Sequence, residues 1–367
     1  MVAGSGRGAD PAGPVAVLQV AATGRGSASA QQRVLRALLD TGSRCEPAEV
    51  VATLRARIGV ATDAEVARVR TRLQALDGRV VVVGDDDYPP HLADAWPELG
   101  APLWLFTCGE RVAAPRRPAV AVVGTRRPSL DGVRTARRLG VALAEAGVVV
   151  VSGLARGIDQ AAHRGALDGR GTTVAVLGTG LGVDYPARTA SLRSAIVASG
   201  ALVTELLPGA RARPWQFLAR NRIISGLADA TVVVEGRDGS GALQTARLAG
   251  GQGRDVWAVP GSINAPTSAA PLALLRDGAI PLTSIDDLVA SVTTIASTRF
   301  AAPATAVEPA GLSPAARTVL DLICAEPAST DALADASTLP AHVVLAAVAE
   351  LVDRGAGTIT PHGVVRC

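Results

Sequence analysis

From Ala119 onward the chain alternates short apolar runs with helix-length segments, and this alternation limits the possible folds more than any other feature. Five strand candidates lie at residues 119–123, 148–151, 173–177, 230–235 and 255–259, with 201–204 a sixth. Helical segments separate them at 132–146, 158–167, 192–198, 221–227 and 242–249. The strands are near-continuous Val, Ala and Leu without polar alternation, so both of their faces must be buried. Joined through helices, such strands form a parallel sheet covered on both sides. Right-handed crossovers then gather the strand-to-helix loops on one edge of it. The expected class is α/β, a Rossmann-like parallel sheet core over residues 115–293.

The flanks read differently. Residues 1–30 are rich in Ala, Gly and Ser with weak periodicity, and are expected to form a loose extension. Residues 31–114 read as an N-terminal helical (SAM-like) region and connecting segment. Leu35, Leu38, Leu39, Leu54 and Ile58 stand at helical spacing there, followed by a short strand at 80–83. Residues 294–311 carry Pro303 and Pro309 among many alanines and read as a linker. Beyond them, 312–367 offers helices at 314–322, 330–336 and 340–354. A terminal hairpin around Gly355, Gly357 and Val364-Val365 completes the outline of a winged-helix domain.

Composition excludes more than it selects. All 36 basic residues are Arg, and the net charge is only +3, so any anionic partner must be met by local clusters. The absence of Lys follows from a GC-rich coding bias more simply than from function. Cys45, Cys108, Cys324 and Cys367 are scattered, and the four histidines form no HExxH or Cys/His cluster. No metal site is expected, and a reducing cytoplasm is the natural setting. No charged start followed by an apolar run marks a secretion signal. The longest uncharged run, 256–275, is broken by Pro260, Gly261, Pro266 and Pro271, so no membrane helix is expected from it.

The chemistry gathers in the strand-end loops. Gly124-Thr125-Arg126 and Ser129 follow the first core strand, and Ser152-Gly153 ends the second. Gly178 follows the third, and Ser240-Gly241 precedes the helix at 242–249. Small residues there let a backbone approach a ligand, and hydroxyls with amides make an anion nest. Arg220-Asn221-Arg222 opens an apolar helix just after Trp215 and Phe217, with Arg213 close by. Guanidinium forks suit phosphate oxygens, and aromatic faces beside them suit unpaired bases. Arg126, Arg220 and Arg222 are the sharpest phosphate-contact candidates. Asp159 reads as a helix cap, Asn221 as a cap that could also serve the site, and His163 as a structural histidine. Glu205 and Glu235 sit at strand ends but give only weak support to a paired-carboxylate reading.

Taken in order, these motifs resemble the DNA-processing protein A (DprA/Smf) family. The resemblance rests on Asp87-Tyr88-Pro89-Pro90-His91-Leu92, Ala121–Arg126, Val151–Asp159, Ala175–Gly180, Ala219–Leu227, Ser240–Leu243 and Gly253–Ser262. It implies a non-enzymatic protein that binds and protects incoming single-stranded DNA and loads the RecA recombinase during natural transformation. It also implies dealings with single-strand binding protein, a homodimer through the core, and no cofactor. The family's DNA-contacting arginine falls on Arg126 and its Arg-Asn-Arg motif on Arg220–Arg222. Where members often carry Lys after Tyr-Pro, Arg188 follows Tyr185-Pro186 and keeps a charge nearby. Phe217-Leu218 stands where many members read Phe-Pro.

An alternative is a nucleotide-processing enzyme, since the core is also similar to the phosphoribohydrolase-like group. Its Gly-Gly-x-Gly-Thr-x-x-Glu loop supplies a carboxylate, and Arg247 stands where that glutamate is needed. No catalytic residue is therefore expected. A third reading, a duplex-specific regulator built on the winged helix, finds few base-edge donors on the helix at 340–354.

Overall fold

Strands that are apolar on both faces can be stable only inside a sheet, and the core strands occupy the middle of one. In this computed structural model, residues 13–25, 28–41, 43, 45–95, 100–109, 117–300, 312–323, 329–354, 357–360 and 363–366 are described. Among them, nine strands form one sheet: β1 (Gly78–Val82), β2 (Trp104–Cys108), β3 (Ala119–Val123), β4 (Val149–Ser152), β5 (Thr173–Val176), β6 (Ala201–Thr204), β7 (Ala230–Val233), β8 (Asp255–Ala258) and β9 (Ile280–Pro281). Their spatial order is β1-β2-β6-β5-β4-β3-β7-β8-β9. From β6 to β9 every pairing is parallel, while β2 runs antiparallel to both β6 and β1. The chain steps from β3 outward through β4, β5 and β6, then returns to place β7 on the other side of β3. That reversal is the topological switch point, where open α/β sheets leave a crevice beyond the strand ends.

The pleat of β3 divides two apolar layers. Val120 and Val122 face a layer with Leu139 and Leu143 of α6 (Leu130–Glu145), given that α1 is Pro14–Ala21, α2 Ala28–Leu39, α3 Pro47–Ile58, α4 Asp63–Ala75 and α5 Pro90–Ala93. Ile158 and Ala162 of α7 (Ile158–Asp168) join the same layer. Ala121 and Val123 face the other layer, shared with Val17, Leu54, Leu92, Trp104 and Phe106. The remaining helices of this unit are α8 (Ala190–Ser199), α9 (Pro214–Ala219), α10 (Asn221–Gly226), α11 (Gly241–Gly251), α12 (Ala269–Arg276) and α13 (Ile285–Phe300). No single described helix is long and apolar enough to cross a membrane.

Three boundaries differ from the sequence reading. Pro14–Ala21 is a helix with Val17 and Val20 fully buried, so the expected loose extension does not hold for this stretch. It is apolar almost all round, which removes the periodic signal of a surface helix; residues 1–12 lie outside the described residues. The core does not start at 115, because β1 and β2 complete the sheet and Trp104, Leu105 and Phe106 are buried in its main layer. The linker expected from 294 is helical as far as Phe300, and its remainder, 301–311, lies outside the described residues.

The chain divides into two units after Thr298. In the second, α14 (Pro314–Leu322), α15 (Thr330–Ser337) and α16 (Ala341–Asp353) precede an antiparallel pair, β10 (Gly357–Thr360) and β11 (Gly363–Arg366). Val319, Leu320, Leu333, Val344, Val348 and Leu351 make its own core. Ser313 caps α14 by accepting from the Ala316 amide at 3.1 Å, and its own N–H donates to Glu350 of α16 at 2.9 Å. This is the winged-helix outline expected from the sequence.

Among the described residues Trp104 is the largest fully buried side chain, and its indole N–H donates to the carbonyl of Glu205 at 3.2 Å. Trp104→Ala should lower the unfolding free energy by about 3–5 kcal/mol. Urea denaturation followed by circular dichroism measures this directly.

Candidate nucleic-acid interface

Each strand-end loop is first of all a structural staple. The Thr125 amide donates to the carbonyl of Glu235 at 2.7 Å, and its own carbonyl accepts from Ile158 at 3.3 Å. These bonds fix the β3 loop between β7 and α7 and leave Arg126 exposed. Ser129 is spent locally. Its Oγ accepts from Gly132 at the start of α6 and donates to Glu235 at 2.5 Å. Ser152 is fully buried, and its hydroxyl donates to the carbonyl of Val122 at 2.6 Å. Neither serine is free to serve a phosphate, so both leave the expected set.

The stretch before Arg220 is a short helix, α9. Pro214 opens α9, and Gln216 accepts from the Arg213 amide at 2.7 Å. Arg220 sits at the α9–α10 joint with its guanidinium buried. Nε donates to Asn221 at 3.2 Å, and Nη1 donates to the carbonyls of Gly153, at 2.7 Å, and Val176. The glycines here make room for the protein itself. A Cβ at Gly153 would collide with the Arg220 guanidinium, and one at Gly178 would collide with the Phe217 ring. Burial pulls the Arg220 pKa down to about 10, offset in part by Asp159, with Arg126 adding to the drop. The group therefore remains charged at neutral pH. Asp159 is buried in turn, which pushes its pKa up against the pull of Arg220 and of the Ala155 amide at 3.2 Å.

Arg222 does not share this side. Successive helical residues turn by about 100°, so two positions on, the side chain points nearly the opposite way. It is buried and paired with Glu205 at 2.7 Å, with its side-chain stem packed against Gly100 of the N-terminal region. The expectation that it contacts phosphate is thereby corrected.

What remains forms two adjoining clefts beyond the carboxyl ends of the strands. One, of about 630 Å3, is lined by Gly124, Thr125, Arg126, Arg220, Asn221, Ser240 and Gly241 among others. It lies at the switch point between β3 and β7. The other, of about 560 Å3, is lined by Arg126, Gly153, Gly178, Tyr185, Pro186 and Phe217. Arg126 and Phe217 line both and form the wall between them, with the guanidinium carbon 5.6 Å from the ring centroid. Phe217 meets Tyr185 at 5.0 Å between centroids, tilted by 39°. Ser240 caps α11 and Asn221 donates to the carbonyl of Gly241 at 3.3 Å, which closes the floor of the first cleft.

Arg188 and Arg213 are exposed but line neither cleft. The Arg188 amide instead donates to Asp184 at 3.3 Å, with a left-handed backbone. Tyr185, Arg127, Arg156 and Arg237 line the clefts and were missed as site residues. Tyr185 was discoverable as one of only two tyrosines, set in a glycine-rich loop. A roomier cavity of about 940 Å3 lies between α6 and residues 282–286, but Arg134 and Arg137 there are already paired with Asp131 and Asp168. Among the described residues no group of three or more His, Cys, Asp or Glu is placed to hold a metal.

Sheet order and clefts define a Rossmann-type protein that presents guanidiniums and an aromatic wall at its switch-point edge. Residues 79–293 match the DNA recombination-mediator protein A family, and the chain belongs to it. Protein Smf of Escherichia coli is 40% identical over 218 residues, which cover 59% of this chain and 57% of that protein. The chain thus spans little more than half the length of such curated relatives. The crystal structure of DNA processing protein A from Streptococcus pneumoniae superposes with a TM-score of 0.60 at 33% identity, covering 73% of this chain and 95% of that one. The Helicobacter pylori protein, described for its single-stranded DNA binding mode, gives 0.52 at 25% identity over 59% of this chain and 96% of that one. The family indicated by the sequence motifs is the family found.

His163, on α7 behind the site, allows a test of the buried electrostatics. Thr173 donates its hydroxyl proton to the carbonyl of Val150 at 2.8 Å, so it accepts from Nδ1–H of His163 at 2.7 Å. Nε2 is left buried and without a partner. Burial first, and then Arg220, push the His163 pKa down to about 3. The unfolded chain binds this proton at an ordinary histidine pKa and the folded chain does not. The contribution is therefore complete above about pH 6.5 and is lost as pH falls toward 3, by at most about 1.4 kcal/mol per unit. Nitrogen-15 spectra at pH 5 should show a neutral ring protonated at Nδ1. An imidazolium signal there would contradict the geometry.

Proposed function

We propose that this chain binds single-stranded DNA along the switch-point edge. The observation that carries the reading is the Arg126–Phe217 wall shared by the two clefts. A cation and an aromatic face held within 5.6 Å suit a strand whose phosphates and bases are both accessible. Backbone phosphates meet Arg126, Arg127 and Arg237, while bases stack toward Phe217 and Tyr185. A duplex hides its base faces and could use only the charged part of this surface. The single-stranded DNA binding of the Helicobacter pylori relative supports the same assignment.

The role is read as binding without turnover. Both carboxylates lining the clefts are engaged, Asp159 by the Ala155 amide and Arg220 and Asp184 by the Arg188 amide and the Thr189 hydroxyl, and Arg247 occupies the position where the phosphoribohydrolase-like group needs a glutamate. Protection of incoming DNA, transfer of the strand to a RecA recombinase in natural transformation, contact with single-strand binding protein and a homodimeric state belong to the same proposal. They rest on family membership. Arg188 and Arg213, outside the clefts, can lengthen the phosphate track.

The test is fluorescence anisotropy with labelled single- and double-stranded oligonucleotides across a salt series. Single strands should bind more tightly, with log K falling linearly in log salt. Arg126→Ala should weaken single-strand binding by about 1.5–3 kcal/mol, as expected for a charge-assisted contact. Phe217→Ala should cost about 1–3 kcal/mol through lost stacking. Equal affinity for duplex, or indifference to salt, would reject the assignment.

A further inference from the structure

Glu205 directly follows β6, and Arg222 is the second residue of α10. Both side chains are only 7% exposed, and Nη2 lies 2.7 Å from Oε1. Nη1 of the same guanidinium donates to the carbonyl of Ala219, the last residue of α9, at 3.0 Å. The carbonyl of Arg222 accepts from Gln252 at 3.0 Å, and that of Glu205 accepts from the Trp104 indole at 3.2 Å. This one ion pair therefore fastens the α9–α10 joint to β6 and, through Trp104, to β2. On its opposite face the joint carries Phe217, Arg220 and Asn221, all of which line the clefts.

Burying two charges removes their hydration, and Nε of Arg222 is left without a partner. Such a pair adds little net stability over an apolar pair of the same shape. What it does supply is direction, because a guanidinium fork holds its acceptors in one plane at set angles. We propose that the Glu205–Arg222 pair is the positioning element of the DNA site. It sets the orientation of Phe217 and Arg220, and Arg222 acts through them without touching the strand. The proposal rests on the single-stranded DNA reading above.

Charge distinguishes positioning from direct contact. Replacing Glu205 by Gln removes a negative charge, so a phosphate-contact model predicts equal or tighter DNA binding, whereas positioning predicts weaker binding. The full chain and its E205Q, R222K and E205R/R222E variants are titrated against labelled oligothymidine, with R126A as the control. Circular dichroism establishes folding first. E205Q and R222K should each lose affinity by about tenfold, the scale of one well-placed contact. The charge-swapped double variant should return to within about threefold of wild type, as expected for a coupled pair. If E205Q does not fold, R222K and the swap decide by the same criteria.

E205Q binding as tightly as wild type, or a swap as weak as R222K, overturns the proposal. So does loss of fold in all three variants, since the pair would then support the core and not the joint. Those results stand apart from failure of the DNA reading itself, in which wild type does not bind or R126A is without effect.

Discussion

The burial of one guanidinium organises this edge of the molecule. Arg220 reaches from the α9–α10 joint to backbone carbonyls at the ends of β4 and β5, linking residues 67 and 44 positions apart in sequence. A buried charge without partners would be prohibitive. Here the cost is offset by carbonyl acceptors, by Asn221 and by the nearby Asp159. The two helices are too short to hold position by themselves, since isolated helices of this length do not persist in water. Anchoring Arg220 holds the joint that carries Phe217, while the Thr125 bonds to Glu235 and Ile158 hold Arg126 across from it.

The two arginines of the motif thus do different work. Arg220 faces the strand ends and Arg222 faces the N-terminal layer, with the helical turn between them setting the division. Neither is a freely mobile surface cation, in contrast to the exposed Arg126 and Arg127 at the mouth of the clefts. The arrangement separates a rigid floor from a hydrated rim. Rim arginines can follow a flexible strand while the floor keeps the aromatic wall in place.

The central strands were legible because burial on both faces leaves only apolar residues to read, as in residues 119–123. α1 was not, since a helix apolar nearly all round has no polar stripe to read. Gly153 and Gly178 were legible as positions where a side chain would obstruct, but not what would be obstructed. The groups that fill that space, Arg220 and Phe217, come from far along the chain. Ser152 and Ser129 misled because a hydroxyl in a strand-end loop resembles an anion ligand until its acceptor is known. Arg222 misled for a simpler reason. Neighbours in sequence need not share a direction, and the phase of the helix separates these two.

The short strand β9 has a further consequence at the far side of the sheet. Leu282 turns its N–H inward to the carbonyl of Ala258 at 2.9 Å, and alternation along the strand sends the N–H of Ile280 the same way. The residue whose turn it is to face outward is Pro281, which has no N–H to offer. A foreign strand approaching this open margin finds no hydrogen-bond donor at its centre, and ladder extension by an unrelated chain is blocked there by a single ring.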